Sequence, residues 1–215
     1  MASYKTGDVF ALPLTPGEFL AGRVLLDVKR QCIRPRRVRQ DSTLGFFNGS
    51  LLVEVYRTSS PAPRYVDGDV LVPGVFIDPA ALDGGTWPVV GHRDVEPRRV
   101  EFPQALKGVG VHIHVVWGEL SIPTRLSDPD HRRIGVYPTI EPSAILHEIC
   151  LYHLGRGDEI HYPGLTSVEL RSLARSDLRF SPSRQEVQRA VDVDIDGSYF
   201  ETARRQAYDL QRFYE

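Results

Sequence analysis

The chain has 215 residues, 41% hydrophobic and 25% charged, with a formal net charge of −2. This composition suits one large or two small soluble domains that need no disulfides, and a net charge this small implies no bulk attraction to nucleic acid or to a membrane surface. No apolar run reaches bilayer length. The start, Met-Ala-Ser-Tyr-Lys, lacks the apolar core of a signal peptide, so a cytoplasmic location is expected. Cys32 and Cys150 lie far apart without ligand spacing and read as free thiols.

Residues 1–126 read as β-rich. The pattern predicts strands over 9–14, 19–27, 50–57, 69–77 and 110–117, each rich in β-branched or aromatic residues and bounded by turn formers. Short extra strands are expected over 87–91 and 100–102. The first two strands form a hairpin. Thr15-Pro16-Gly17-Glu18 supplies its turn, with Pro16 pre-setting φ and Gly17 permitting positive φ. Residues 127–138 read as a polar connection and a domain boundary, which divides the chain into 1–126 and 127–215. Beyond it the period becomes helical. One helix begins at Pro142 and buries Ile145, Ile149 and Tyr152, and Gly155 and Gly157 stop it. Thr166 or Ser167 caps a short helix, and Ser181-Pro182 starts another. A last helix is expected over 197–213, with Phe200, Ala203, Ala207, Leu210 and Phe213 on one face. Strands first and helices last give an α+β fold, with the N-terminal half antiparallel and similar to a small barrel.

The opening phrase carries a resemblance. Gly7, Asp8, Phe10, Pro13, Leu14, Phe19, Gly22, Arg23, Val24 and Leu25, with Phe46-Phe47-Asn48-Gly49 and the strand that follows, are similar to the immunity protein 26 family. The similarity covers roughly the first 60 residues, about a quarter of a chain this long. It implies a toxin-neutralising bacterial protein whose partner is a cognate toxin domain. It also implies that the toxin is occluded stoichiometrically, without catalysis.

Read from the residues alone, catalytic templates are poor. There is no nucleophile elbow and no phosphate loop, and Cys150 sits in an apolar helix as a core thiol. No enzymatic activity and no cofactor are expected. His112 and His114 share one strand face and could hold a metal with His147, a weak alternative. His147 and His153 are six apart, which misses the i, i+4 spacing of a zinc-protease helix. Asp192, Asp194, Asp196 and Gly197 match the first half of a calcium loop, but position 12 is Ala203 and the nearest acid is Glu201.

The candidate site is therefore a surface. Lys29, Arg30, Arg34, Arg36, Arg37 and Arg39 form a basic run without an interrupting acid. The run reads either as a solvated loop between the second and third strands or as an anion contact, to an acidic partner face or a nucleic-acid backbone, and with it Arg23, Phe46 and Phe47 are contact candidates. Asp192, Asp194, Asp196 and Glu201 are the candidates for a basic one. A second reading places a nucleic-acid-binding or processing protein on an SH3-like barrel, by analogy of fold alone. A third, ranked last, is a metal-dependent hydrolase built on the histidines.

Overall fold

The computed structural model describes residues 4–39, 42–160 and 167–215. In chain order the strands are β1 (Asp8–Thr15), β2 (Glu18–Asp27), β3 (Leu51–Ser60), β4 (Val70–Ile77), β5 (Val89–His92), β6 (Gln104–Val109), β7 (His112–Trp117) and β8 (Leu120–Pro123). The helices are α1 (Ala80–Asp83), α2 (Asp128–Ile134), α3 (Leu146–His153), α4 (Arg184–Arg189) and α5 (Tyr199–Arg205). The fold class is α+β. Among the described residues, no helix is long and apolar enough to cross a membrane.

Two compact units share the chain, each assembled from three segments. Unit 1 comprises Met1–Val28, Gly49–Val95 and Ile140–Ser172, and unit 2 comprises Lys29–Asn48, Glu96–Thr139 and Leu173–Glu215. The division read from the sequence at 126/127 matches neither set of edges, because Glu96–Thr139 runs through it.

Unit 1 is built on an antiparallel sheet of order β4-β3-β2-β1-β5. The β1–β2 hairpin forms where the alternation and turn residues place it, with Gly17 at φ +77°. Its register sets Phe10 opposite Gly22, and any side chain at 22 would run into the Phe10 ring. Phe10 also stacks on Trp87, with ring centroids 4.9 Å apart. Helix α3 packs on β1 and buries Leu146, Ile149 and Cys150. It begins four residues after Pro142, behind a 3-10 turn over Ser143–Ile145, and leaves Ile145 and Tyr152 only half-buried. The Asp78 carboxylate fixes that entry by accepting from Ala80 N, Ser143 N and Ser143 Oγ at 2.8–3.0 Å. Thr166 lies outside the described residues, while Ser167 Oγ accepts from Glu169 N over the 3-10 turn Val168–Arg171.

Unit 2 is built on a three-stranded sheet, β6-β7-β8. Residues 100–102 form no strand. The strand starts at Gln104, past Pro103, and β8 was not expected at all. One face of the sheet buries Leu106, Ile113, Val115, Trp117, Leu120 and Ile122. Tyr199 joins this core, with its ring centroid 4.5 Å from Phe102 and 5.5 Å from Trp117. The expected connection over 127–138 contains α2. Ser127 and Asp130 form its capping box, and Gly135 ends it at φ +66°. The N-cap of α4 is Ser183, two residues beyond Ser181. Helix α5 spans only seven residues of the stretch read as one long helix, and a 3-10 turn over Gln211–Phe213 follows it.

Candidate functional site

Unit 2 presents a cationic surface made from parts distant in sequence. Its segments hold 19 Lys and Arg against 14 Asp and Glu, whereas those of unit 1 hold 7 against 14. The formal −2 of the whole chain is therefore +5 in one unit and −7 in the other.

The basic run is ordered by its own backbone. A π-helix over Val28–Ile33 leads into bonds from Arg34 N to Lys29 O, Arg36 N to Ile33 O and Arg37 N to Cys32 O. Cys32 is fully buried and anchors the turn, while Arg34, Arg36 and Arg39 are exposed. Arg36 sits at φ +56°, a conformation that non-glycine residues adopt only at a cost. Among the described residues, Arg34 and Arg36 have no carboxylate partner.

Reciprocal hydrogen bonds fasten this run to the C-terminal turn. Arg37 donates to Arg212 O at 2.7 Å, Arg212 Nε donates to Arg37 O at 2.9 Å, and Gln31 donates to Phe213 O at 2.9 Å. The Arg212 guanidinium holds the buried Glu119 carboxylate at 2.5 and 2.6 Å. Burial pushes the Glu119 carboxyl above the usual range, and Arg212 pulls in the opposite direction. The Arg39 guanidinium stacks 5.1 Å from the Tyr208 ring centroid.

Next to Tyr208 lies a cleft of about 430 Å³, lined by Arg98, Phe200, Arg204, Ala207, Tyr208, Asp209 and Gln211. Its shape follows from how α5 ends. Tyr208 N bonds to Ala203 O, and Ala207 N to Arg204 O, which is a Schellman closure. Glycine usually occupies the left-handed position of that closure, but here it is Ala207, at φ +60°. Among the described residues, Ala207 and Arg36 are the two non-glycine residues with positive φ, and both belong to this surface. Arg98 sits in the middle of the 3-10 turn Pro97–Arg99 and lies 5.8 Å from the Phe200 ring centroid.

The other residues read from the sequence are placed differently. Arg23 is not a surface residue. It is 9% exposed, its Nε and a terminal nitrogen contact Glu54 Oε1 at 2.9 and 2.7 Å, and it donates to Asp94 O at 3.1 Å. Tyr56 donates to the same Glu54 oxygen at 2.6 Å, and burial, with Glu54 beside it, pushes the Tyr56 hydroxyl pKa upward. Phe46 is half exposed, with the Lys107 ammonium 5.7 Å from its ring, but Phe47 is buried and meets Phe46 edge-on.

The acidic turn is compensated rather than presented as a bare patch. Asp192 pairs with Arg125 and Asp196 with Arg184, each at 2.5 Å, while Asp194 accepts from Asp196 N. Glu201 is exposed on α5. His112 and His114 do share a face of β7, where His114 Nδ1 meets Ser121 Oγ at 2.9 Å. His147 sits on α3 in unit 1. Among the described residues, no group of three His, Cys, Asp or Glu side chains is placed to hold a metal. Sequence reasoning missed Arg98 and Arg204, which carry no local motif and meet only through the chain path.

Compared with known proteins, residues 5–108 match the family model described as Immunity protein 26. Neither the curated proteins nor the solved structures gave a match. The matched stretch holds all five strands of the unit 1 sheet, the basic run, Phe46 and Arg98.

Proposed function

We propose that this chain is a bacterial immunity protein that neutralises a cognate toxin domain by stoichiometric binding and occlusion. The contact face in this reading is the cationic surface of unit 2. The observation that carries the reading is the match of residues 5–108 to Immunity protein 26. The surface supports it through charge. Arg34 and Arg36 lack carboxylate partners among the described residues, so an acidic partner gains ion pairs that displace none. Exposed charges of one sign also steer encounter and fix orientation. Phe46 adds an exposed aromatic anchor of the kind that dominates interface energetics.

Co-expression tests the reading. The toxin domain encoded beside this chain is expected to kill alone, to be harmless with the full-length protein, and to co-purify with it in a fixed ratio. Arg34→Ala with Arg36→Ala is expected to weaken protection. Continued killing in the presence of well-folded protein overturns the proposal. So does an RNA or DNA shift at physiological salt that Arg34→Ala and Arg36→Ala abolish, since that result favours the nucleic-acid reading.

A further inference from the structure

We infer that the cleft between the Pro97–Arg99 turn and the end of α5 is a carboxylate-binding site that seats an acidic cluster of the protein partner. The inference rests on the proposed immunity function and adds the chemistry of the contact.

Arg98 and Arg204 are exposed, line the cleft and, among the described residues, have no carboxylate partner. Two uncompensated guanidiniums facing one concave space favour an anion. Asp209, the one acid in the lining, already accepts from Gln211 N at 2.9 Å. The aromatic residues do not offer a stacking platform. Phe200 is 8% exposed with Arg98 over its ring, and Arg39 lies over Tyr208. A nucleobase needs an open ring face. A carboxylate needs the planar N–H edge, which stacking on a ring leaves free. The site also touches the basic run, because the Arg39 guanidinium lies over the lining residue Tyr208.

The probe is a fluorescein-labelled octaglutamate peptide, titrated into the full-length protein at about 50 mM salt, where surface charges are weakly screened. The peptide is expected to bind, and Arg98→Gln with Arg204→Gln to weaken it by about tenfold, the scale of losing two exposed charge contacts. Arg99→Gln is the control, since Arg99 already pairs with Glu96 at 2.9 Å, and it is expected to leave the affinity unchanged. Arg204→Gln alone is read alongside in case the Arg98 change loosens Phe200, and melting temperatures are compared with the parent. Equal peptide affinity in parent and double variant overturns the inference. So does an octathymidine strand that displaces the peptide at lower concentration than unlabelled octaglutamate. Full toxin protection by the double variant also overturns it while leaving the immunity function standing. Failure of the parent to protect removes the immunity function, and the peptide titration still decides the chemistry of the cleft.

Discussion

The buried Arg23–Glu54 pair separates a structural role for Arg23 from a partner-binding one. Both side chains are about nine-tenths buried, at 11% and 8% exposure. One carboxylate oxygen of Glu54 takes Arg23 through two nitrogens and also the Tyr56 hydroxyl. Removing one member leaves the other charge desolvated, which costs about 3–5 kcal/mol. Glu54→Leu is therefore expected to destabilise the protein by about that amount. Glu54→Gln keeps a neutral acceptor and is expected to cost about 2 kcal/mol, near the worth of hydrogen bonds to a charged group. Replacing the set together, as Arg23→Met, Glu54→Leu and Tyr56→Phe, removes both desolvated charges and the orphaned hydroxyl. That variant is expected to lie within about 1–2 kcal/mol of the parent. Urea unfolding followed by circular dichroism measures each value, with equal m required before midpoints are compared. A Glu54→Leu cost below about 1 kcal/mol, or a combined variant costing the sum of its parts, refutes the reasoning. Toxin protection by a stable combined variant then shows directly that Arg23 serves the fold.

Two further outcomes follow from local geometry. The Arg156 guanidinium hydrogen-bonds Glu18 at 2.9 Å and holds its carboxyl at about 2, against an ordinary 4.5. A depressed acid stabilises the fold fully above its unfolded pKa and loses that contribution as pH falls through the folded one. The loss is therefore expected between pH 4.5 and about 2, and Arg156→Gln is expected to flatten it. Carboxyl carbon NMR reads the Glu18 titration directly, and a midpoint near 4.5 in the parent rejects the assignment. Gly118→Ala is expected to cost about 2–4 kcal/mol, combining a left-handed residue with overpacking. Gly118 has φ +58°, and its added Cβ would sit 2.6 Å from the buried Tyr199 ring. Gly17→Ala shares the sign of φ but meets nothing within 4 Å, so it isolates the backbone part at about 1 kcal/mol. Equal losses at the two positions contradict the packing argument.

The β1–β2 hairpin was legible because both of its signals are local. Alternation over residues 9–14 and the Pro16-Gly17 turn each act within a few residues. Helix α2 was not read, although Ser127, Asp130 and Gly135 carry its start and stop signals, because the polar stretch has no apolar period. The C-terminal helix was over-read for the opposite reason. Ala207 favours helix interiors, yet it takes the left-handed stop that usually announces itself as glycine. At the site, the basic run and Phe46 were visible and the cleft was not. The two arginines of the cleft are separated by more than a hundred residues, and no periodicity links Arg98 to Arg204. The pairing of the acidic turn was hidden for the same reason, because Arg125 and Arg184 reach Asp192 and Asp196 across the fold.

The interleaving of the chain explains why composition concealed the site. A formal charge of −2 argues against any electrostatic partner if charge is spread evenly. Threading Lys29–Asn48 into unit 2 concentrates six basic residues there, in the same unit as Arg98 and Arg204. Charges act over about 8 Å at physiological salt, so a partner within contact range meets the local surface rather than the sum. A free duplex, which samples the whole molecule, gains little from a chain that is net negative. Local concentration on a near-neutral chain therefore favours a folded acidic partner that docks at one place over a polyanion that binds wherever charge permits. The Arg98 and Arg204 substitutions test that distinction, because they change the net charge of the chain by only two while removing both free guanidiniums from the cleft.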